Sequence, residues 1–167
     1  MRKFIVIIIL AGMSIGVSSC GIYSFTGAQT DAKTIQIDYF PNHASLVEPS
    51  LSQEFTLALQ DLFVRQSQLE LVKTGGELVI EGEIKDYQIR PTAATADQTA
   101  AYNRLTIKVN VRFFNTLDES ESFERTFSYF HDFPADQQLT GSVKEEAFQD
   151  IFERITQDIF NATVANW

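Results

Sequence analysis

The most constraining feature of this sequence is a ten-residue stretch, residues 104–113, in which polar and apolar residues alternate without a break. Because successive side chains of a strand point to opposite faces, the alternation predicts a strand with one buried and one solvent-facing side. The polar stretch 115–121 predicts a turn, and Phe123, Phe127 and Tyr129 then predict an antiparallel partner strand. A chain with this hairpin is expected to form a sheet with one covered face.

Two further segments have the periodicity of amphipathic helices. Each opens with a capping-box pattern, in which Ser50 is followed by Gln53 and Ser142 by Glu145, so Ser50 and Ser142 are the predicted N-caps. The apolar residues after each cap recur at helical spacing: Leu51, Phe55, Ala58, Leu59, Leu62 and Phe63 in the first segment, and Phe148, Ile151, Phe152, Ile155 and Ile159 in the second. We expect both stripes to pack on a common core.

Three shorter patterns complete the predicted sheet. Residues 35–39 alternate between apolar and polar side chains, and residues 69–72 form a short strand followed by a glycine turn. Residues 78–89 form a further strand, in which the alternation of apolar and polar residues shifts by one position near Asp86. Such a slip predicts a bulge. The element order is therefore β-α-(β)-β-β-β-α. We predict an α+β fold with two helices packed on one face of a mostly antiparallel four-stranded sheet.

The amino-terminal residues have the layout of a bacterial lipoprotein signal. Two basic residues, Arg2 and Lys3, precede an apolar run, and Val17-Ser18-Ser19-Cys20 resembles a lipobox, in which the cysteine becomes the acylated amino terminus. The apolar run is short for a membrane span. We therefore predict a signal peptide over 1–19, lipid attachment at Cys20, a tether over 20–33 and one domain over 34–167. The alternative is an ordinary signal peptide with a chance cysteine.

Composition excludes several classes of function. The formal net charge is −9, and loss of Arg2 and Lys3 makes the mature chain more acidic still, so it should repel nucleic acid. Cys20 is the only cysteine, and its acylation would leave no thiol for disulfides, catalysis or zinc. The two histidines, His43 and His131, stand in separate segments. We therefore predict no enzyme, no metal and no cofactor beyond the lipid on Cys20.

Four stretches together resemble one protein family. They are Cys20-Gly21-Ile22-Tyr23-Ser24-Phe25, Glu81-Gly82-Glu83-Ile84 with Tyr87 and Pro91, Asn103-Arg104-Leu105-Thr106-Ile107, and the carboxyl-terminal residues Asp158-Ile159-Phe160-Asn161 to Trp167. This combination is similar to the LptE family of lipopolysaccharide-assembly lipoproteins in its Bacteroidota form. The resemblance implies two helices on a four-stranded sheet and a position at the periplasmic side of the outer membrane. It also implies a partnership with the LptD β-barrel, which such proteins plug, and binding of lipopolysaccharide.

The candidate lipopolysaccharide contacts are three cations on the polar side of the alternating strand. Arg104, Lys108 and Arg112 are spaced four apart and share a face. Arginine forks pair with phosphate oxygens bidentately, which suits the phosphates of lipid A. Lys85 and Arg90 are weaker candidates of the same kind. In the alternative interpretation, Glu81 and Glu83 on a neighbouring strand pair with these cations, and no ligand is involved.

Two further expectations concern the carboxylates Asp132 and Asp136 and a second candidate function. Asp132 and Asp136 lack the spacing of a calcium loop, so we predict solvated turns there. The second function considered is an auxiliary lipid- or solute-binding lipoprotein of an ABC-type envelope transport system, which requires an apolar pocket between sheet and helices. Gly21 after Cys20, and the lack of an acidic run behind it, favour the periplasmic side of the outer membrane.

Overall fold

A computed structural model describes residues 30–92 and 102–164. The predicted signal peptide, the Cys20 attachment site and most of the predicted tether lie outside the described residues. In chain order the elements are β1 (Thr34–Ile37), α1 (Leu51–Gln66), β2 (Glu70–Val72), β3 (Leu78–Thr92), β4 (Tyr102–Asn115), β5 (Phe123–Pro134) and α2 (Gly141–Thr163), with one 3₁₀ turn over Glu119–Glu121. Within these residues, neither α-helix has the length and apolar character that crossing a membrane requires.

The strands form one mixed sheet in the order β2-β1-β3-β4-β5. β3, β4 and β5 are antiparallel, as predicted, but β1 lies parallel to both β2 and β3. The prediction of a mostly antiparallel four-stranded sheet is therefore wrong in strand count and in the direction of β1. The reason is the connection through α1, because a helix between two neighbouring strands returns the chain in the same direction and makes them parallel.

A tight glycine turn makes this arrangement possible. The chain passes from β2 to β3 through Gly75 and Gly76, and Gly75 has a φ of 73°. At Gly76 a Cβ would lie 2.6 Å from the backbone nitrogen of Gln36 in β1. The turn therefore runs directly against β1, where only glycine fits.

Both helices cover the same face of the sheet and enclose one core. On β4 the side chains at 105, 107, 109, 111 and 113 are buried, which confirms the predicted alternation. Aromatic rings fill the space between helices and sheet: Phe55 contacts Phe40 and Phe152 edge-on, with ring centroids 5.3 Å and 5.6 Å apart. The α+β class and the two-helix layer are thus confirmed.

The helix starts differ in detail from the capping-box prediction. Ser50 does precede α1, but its Oγ donates to Glu48 Oε1 at 2.9 Å and makes no cap to the helix. α2 begins at Gly141, with Thr140 as the N-cap, so its N-cap is two residues earlier than the predicted Ser142. Gly141 has a φ of 53°, a conformation that glycine adopts without strain, and this allows the earlier start.

The predicted bulge in β3 is confirmed. The register between β3 and β4 shifts between Ile84 and Asp86, so Lys85 is the extra residue. Beyond it, Asp86 lies opposite Lys108, and Arg90 lies opposite Arg104. The bulge therefore sets which β3 side chains stand beside the polar side of β4.

Candidate functional site: the open face of the sheet

The face of the sheet that is turned away from α1 and α2 carries the predicted cations. We call it the open face and define it by the outward side chains of β3, β4 and β5, which are Val79, Glu81, Glu83, Asp86, Gln88, Arg90, Tyr102, Arg104, Thr106, Lys108, Asn110, Arg112, Phe114, Glu124, Thr126, Ser128, Phe130 and Asp132. Within residues 30–92 and 102–164, no helix covers it. The three predicted cations stand in one row along β4.

Arg112 stands among carboxylates. Its Nε donates to Glu81 Oε1 at 2.7 Å, and this hydrogen bond, reinforced by the charges of Glu81, Glu83 and Glu124, raises the pKa of the Arg112 guanidinium. Glu124 in turn accepts from Asn110 Nδ2 at 2.6 Å. Three carboxylates surround Arg112, and Lys85 pairs with one of them, so carboxylates outnumber cations at this part of the open face.

Lys108 is matched by a single carboxylate. Its Nζ lies 3.3 Å from Asp86 Oδ2. The Asp86 side chain is only 17% exposed, whereas that of Lys108 is 47% exposed. The pair is close to neutral and lies at the middle of β4, directly beside the bulge.

Arg104 is held in a fixed orientation by β5. Its Nε and Nη2 donate to the two carboxylate oxygens of Asp132, both at 2.7 Å, and its guanidinium lies 3.7 Å from the centroid of the Phe130 ring. The hydrogen bonds from Arg104 hold the pKa of Asp132 below its usual value against the opposing effect of burial. Arg90 lies directly opposite Arg104 on β3.

The structure thus brings together the three cations that the sequence predicted and gives each a carboxylate partner. Glu81 pairs with Arg112, as the alternative interpretation expected. Glu83 pairs instead with Lys85 and His43. The prediction that Asp132 lies in a solvated turn is wrong, because β5 continues to Pro134 and Asp132 is an outward-facing residue of that strand.

Sequence reasoning missed Asp86, Asp132 and Phe130 as members of this face. The signal for the last two was the alternation of Phe127, Tyr129, His131 and Phe133 on the covered side of β5, which places the even-numbered residues outward. Asp86 was harder to assign, because its face depends on where the bulge inserts its extra residue.

The histidines lie apart from one another. His131 Nδ1 lies 2.8 Å from Asp150 Oδ2 and joins β5 to α2, while His43 Nδ1 lies 3.4 Å from Glu83 Oε2. Across the described ranges, no three histidine, cysteine, aspartate or glutamate residues are grouped as metal ligands.

A groove of about 500 Å³ runs between the two helices rather than between helices and sheet. Its rim carries polar residues, Asp61, Arg65 and Gln66 of α1 and Gln149, Glu153 and Gln157 of α2, over a floor that includes Leu62 and Phe152. The space between helices and sheet is filled by fully buried side chains, among them Phe40, Phe55 and Phe148.

Comparison with known proteins decides the family. Residues 32–163 match the LptE family, described as lipopolysaccharide-assembly. The chain belongs to the LptE family. The match spans every strand and helix described above, so the family assignment covers the whole folded domain. No curated protein sequence matches the chain.

Solved structures share the fold of this LptE-family chain at low sequence identity. The hypothetical protein CT253 from Chlamydia trachomatis has a TM-score of 0.51 and 13% identity, with 81% of this chain and 99% of that chain covered. PelC from Paraburkholderia phytofirmans, solved as a dodecamer, has a TM-score of 0.50 and 6% identity, with 83% and 93% covered. A weaker similarity, which is not used to assign the fold, is to rare lipoprotein B from Shewanella oneidensis, with a TM-score of 0.44 and 11% identity over 76% of this chain and 89% of that chain.

Proposed function

We propose that this LptE-family chain is a lipid-anchored outer-membrane protein that partners and plugs an LptD-like β-barrel during lipopolysaccharide transport. The observation that carries the proposal is the family match over residues 32–163. The lipobox ending at Cys20 supports the anchor. The role is one of assembly and binding, without catalysis, and the domain faces the periplasm.

The open face suits a contact with lipopolysaccharide and with the inside of a barrel. The lumen of a large outer-membrane barrel is polar. Arg104, Lys108 and Arg112 already have carboxylate partners, so these three cations can approach a polar wall without being left unpaired. We propose that the same row of cations contacts the phosphates of lipopolysaccharide during transfer.

The auxiliary lipid- or solute-binding function gains no comparable support. It requires an apolar pocket between sheet and helices, and the rings of Phe40, Phe55 and Phe148 occupy that space. The groove between α1 and α2 has a polar rim.

Co-purification tests the proposed function. Outer membranes carrying the full-length chain, tagged after Trp167, are solubilised in mild detergent, and the recovered proteins are identified and quantified. We expect a large β-barrel protein in about equal amount. Recovery of the chain alone, or with an inner-membrane transporter, would contradict the proposal.

A further inference from the structure

The groove between α1 and α2 has side chains that suit an extended peptide. Three glutamines stand along its rim, Gln66 on α1 and Gln149 and Gln157 on α2, above the floor that includes Leu62 and Phe152. Gln66 Nε2 donates to Gln157 Oε1 at 3.2 Å, so the two rims meet at this end of the groove. A glutamine side chain both donates and accepts hydrogen bonds, and it can therefore pair with the N–H and the C=O groups of a peptide backbone.

The charged residues of the rim disfavour an anionic ligand. They are two carboxylates and one guanidinium, from Asp61, Glu153 and Arg65. Carboxylates therefore outnumber cations, so a phosphate or an anionic lipid headgroup gains no net attraction here. An uncharged segment with apolar side chains meets no such opposition.

The predicted tether contains such a segment. Residues 20–29 carry no charged side chain, and Ile22, Tyr23 and Phe25 give them three large apolar groups close together. Two of these groups are aromatic and bury a large area when they pack on an apolar floor. The segment matches the groove in charge, in polarity and in the size of its side chains.

The tether joins the domain close to one end of the groove. The backbone N–H of Glu70 donates to the carbonyl of Lys33 at 2.8 Å. Gln66, the last residue of α1, is four residues before Glu70, so the chain allows at most about 14 Å between them. Phe25 is eight residues before Lys33, a span of roughly 28 Å when extended. Phe25 can therefore reach the floor at Leu62, which is about one helical turn from Gln66.

We propose that residues 22–25 dock in the groove between α1 and α2 of the same chain. The ring of Phe25 packs on Leu62 and Phe152, and the backbone around it pairs with the glutamines of the rim. Because the segment is covalently joined to the domain, its effective concentration at the groove is high, and weak contacts suffice to hold it there. The inference goes beyond the proposed function, since neither the β-barrel nor lipopolysaccharide takes part in it.

Docking would fix the position of the lipid relative to the domain. Cys20 is thirteen residues before Lys33, so an extended tether would allow the lipid to lie up to about 45 Å from the start of the domain. With residues 22–25 in the groove, only Gly21 separates the acylated Cys20 from the docked segment. The helix layer is then held next to the membrane.

Disulfide trapping in the full-length chain, expressed in cells that export and acylate it, tests this inference. Tyr23 precedes Phe25 by two residues, which places it about one helical turn further along α1, beside Ala58 of the groove. Tyr23→Cys combined with Ala58→Cys should form a disulfide within the chain. Leu57→Cys is the matched control, because Leu57 is the neighbouring residue, is 51% exposed and lies outside the groove lining. We expect roughly tenfold less disulfide with Leu57→Cys, since the bond requires Cα atoms within about 7 Å.

A second substitution tests whether the apolar contact holds the tether. Phe25→Ser, added to the Tyr23→Cys and Ala58→Cys pair, should lower the disulfide yield several-fold, whereas Thr26→Ser should leave it unchanged. Ala58→Cys alone should give no disulfide, because Cys20 is blocked by its acyl chain. Thermal unfolding of each variant checks that the fold is kept.

The yields on non-reducing gels decide between the occupants of the groove. Equal yields with Leu57→Cys and Ala58→Cys would overturn the docking, because an undocked tether meets both positions. A disulfide-linked dimer in place of the internal bond would assign the groove to a second copy and would also overturn it. Co-purification with the β-barrel measures a different property, so either proposal can fail while the other stands.

Discussion

Glu48 Oε1 lies 3.3 Å from Lys144 Nζ and joins the loop before α1 to the first turn of α2. Both side chains are largely covered, at 19% and 26% exposure. Ser50 Oγ donates to the same Glu48 oxygen at 2.9 Å. This contact connects two segments that are 96 residues apart in the chain.

The Glu48 contact predicts a pH-dependent contribution to stability. Burial raises the pKa of Glu48, but hydrogen bonds from Ser50 and Lys144 outweigh it, so the pKa is lowered below 4.5 on folding. A carboxyl whose pKa falls on folding stabilises the protein above its unfolded value and loses that contribution as pH falls through the folded value. We expect Glu48→Gln to lower the free energy of unfolding at pH 7 by about 1 kcal/mol. The difference should shrink below about pH 4 in denaturant titrations, and a constant difference at all pH values would contradict the assignment.

Gly82 is expected to tolerate no side chain. A Cβ there would collide with the backbone oxygen of Asn110 and lie 2.6 Å from the Phe40 ring. Because a backbone oxygen in a central strand pair cannot move aside, Gly82→Ala should lower the free energy of unfolding by roughly 3 kcal/mol or more. Gly75→Ala is the comparison, because a Cβ there would meet no atom within 4 Å and only the backbone φ of 73° disfavours a side chain. It should cost about 1 kcal/mol, and equal costs in chemical denaturation would refute the steric explanation.

Phe55 is the central ring of the helix–sheet interface. It is fully buried and contacts Phe40 of the sheet side and Phe152 of α2. Phe55→Ala should lower the free energy of unfolding by about 3–5 kcal/mol, because the surrounding rings cannot close the cavity. Leu57, which is on the same helix and 51% exposed, provides the control. Leu57→Ala should change stability by no more than about 0.5 kcal/mol, as measured by guanidinium unfolding.

The ion pairs of the open face are expected to contribute little to stability. Arg112 and Glu81 lie 2.7 Å apart, but their side chains are 34% and 36% exposed. Solvent screening at that exposure limits such a pair to about 1 kcal/mol or less. A double-mutant cycle with Arg112→Gln and Glu81→Gln measures the coupling directly. A value well above this limit would show that the face is a structural network.

Acylation of Cys20 remains a prediction from the lipobox. Cells that express the full-length chain and are fed labelled palmitate should incorporate label into it, and Cys20→Ala should abolish the incorporation because no other cysteine is present. Ser19→Ala keeps a small residue before the cleavage site and should retain the label. Labelling of the Cys20→Ala protein would contradict the assignment.

The sequence predicted those elements that are determined by residues close together in the chain. The alternation in β4 and the helical stripes of α1 and α2 are carried by residues close together in the chain, so these elements and the bulge near Asp86 were recognised. The parallel placement of β1 between β2 and β3 depends on pairing across more than thirty residues, as between Thr34 and Glu70. Hydrophobic periodicity carries no information about such partners.

The sequence predicted that the three cations share one strand face, but it did not predict the carboxylates and the aromatic ring that lie beside them. The spacing of Arg104, Lys108 and Arg112 placed them on one face of a strand. Which carboxylate each one meets depends on the register of two strand pairs, and the pairing of Arg104 with Asp132 required β5 to extend to Pro134. The difference in the number of carboxylates near the two ends of β4 becomes visible only when β3, β4 and β5 are aligned.

The single extra residue in β3 has a consequence for this site. Lys85 shifts the phase of the strand, so the residues after it that face outward are Asp86, Gln88 and Arg90. If Lys85 were instead paired as an ordinary strand residue, with no bulge, the alternation would turn Arg90 to the helix side and bring Ile89 to the outside. The bulge at this one position therefore determines whether Arg90 lies on the same side of the sheet as Arg104.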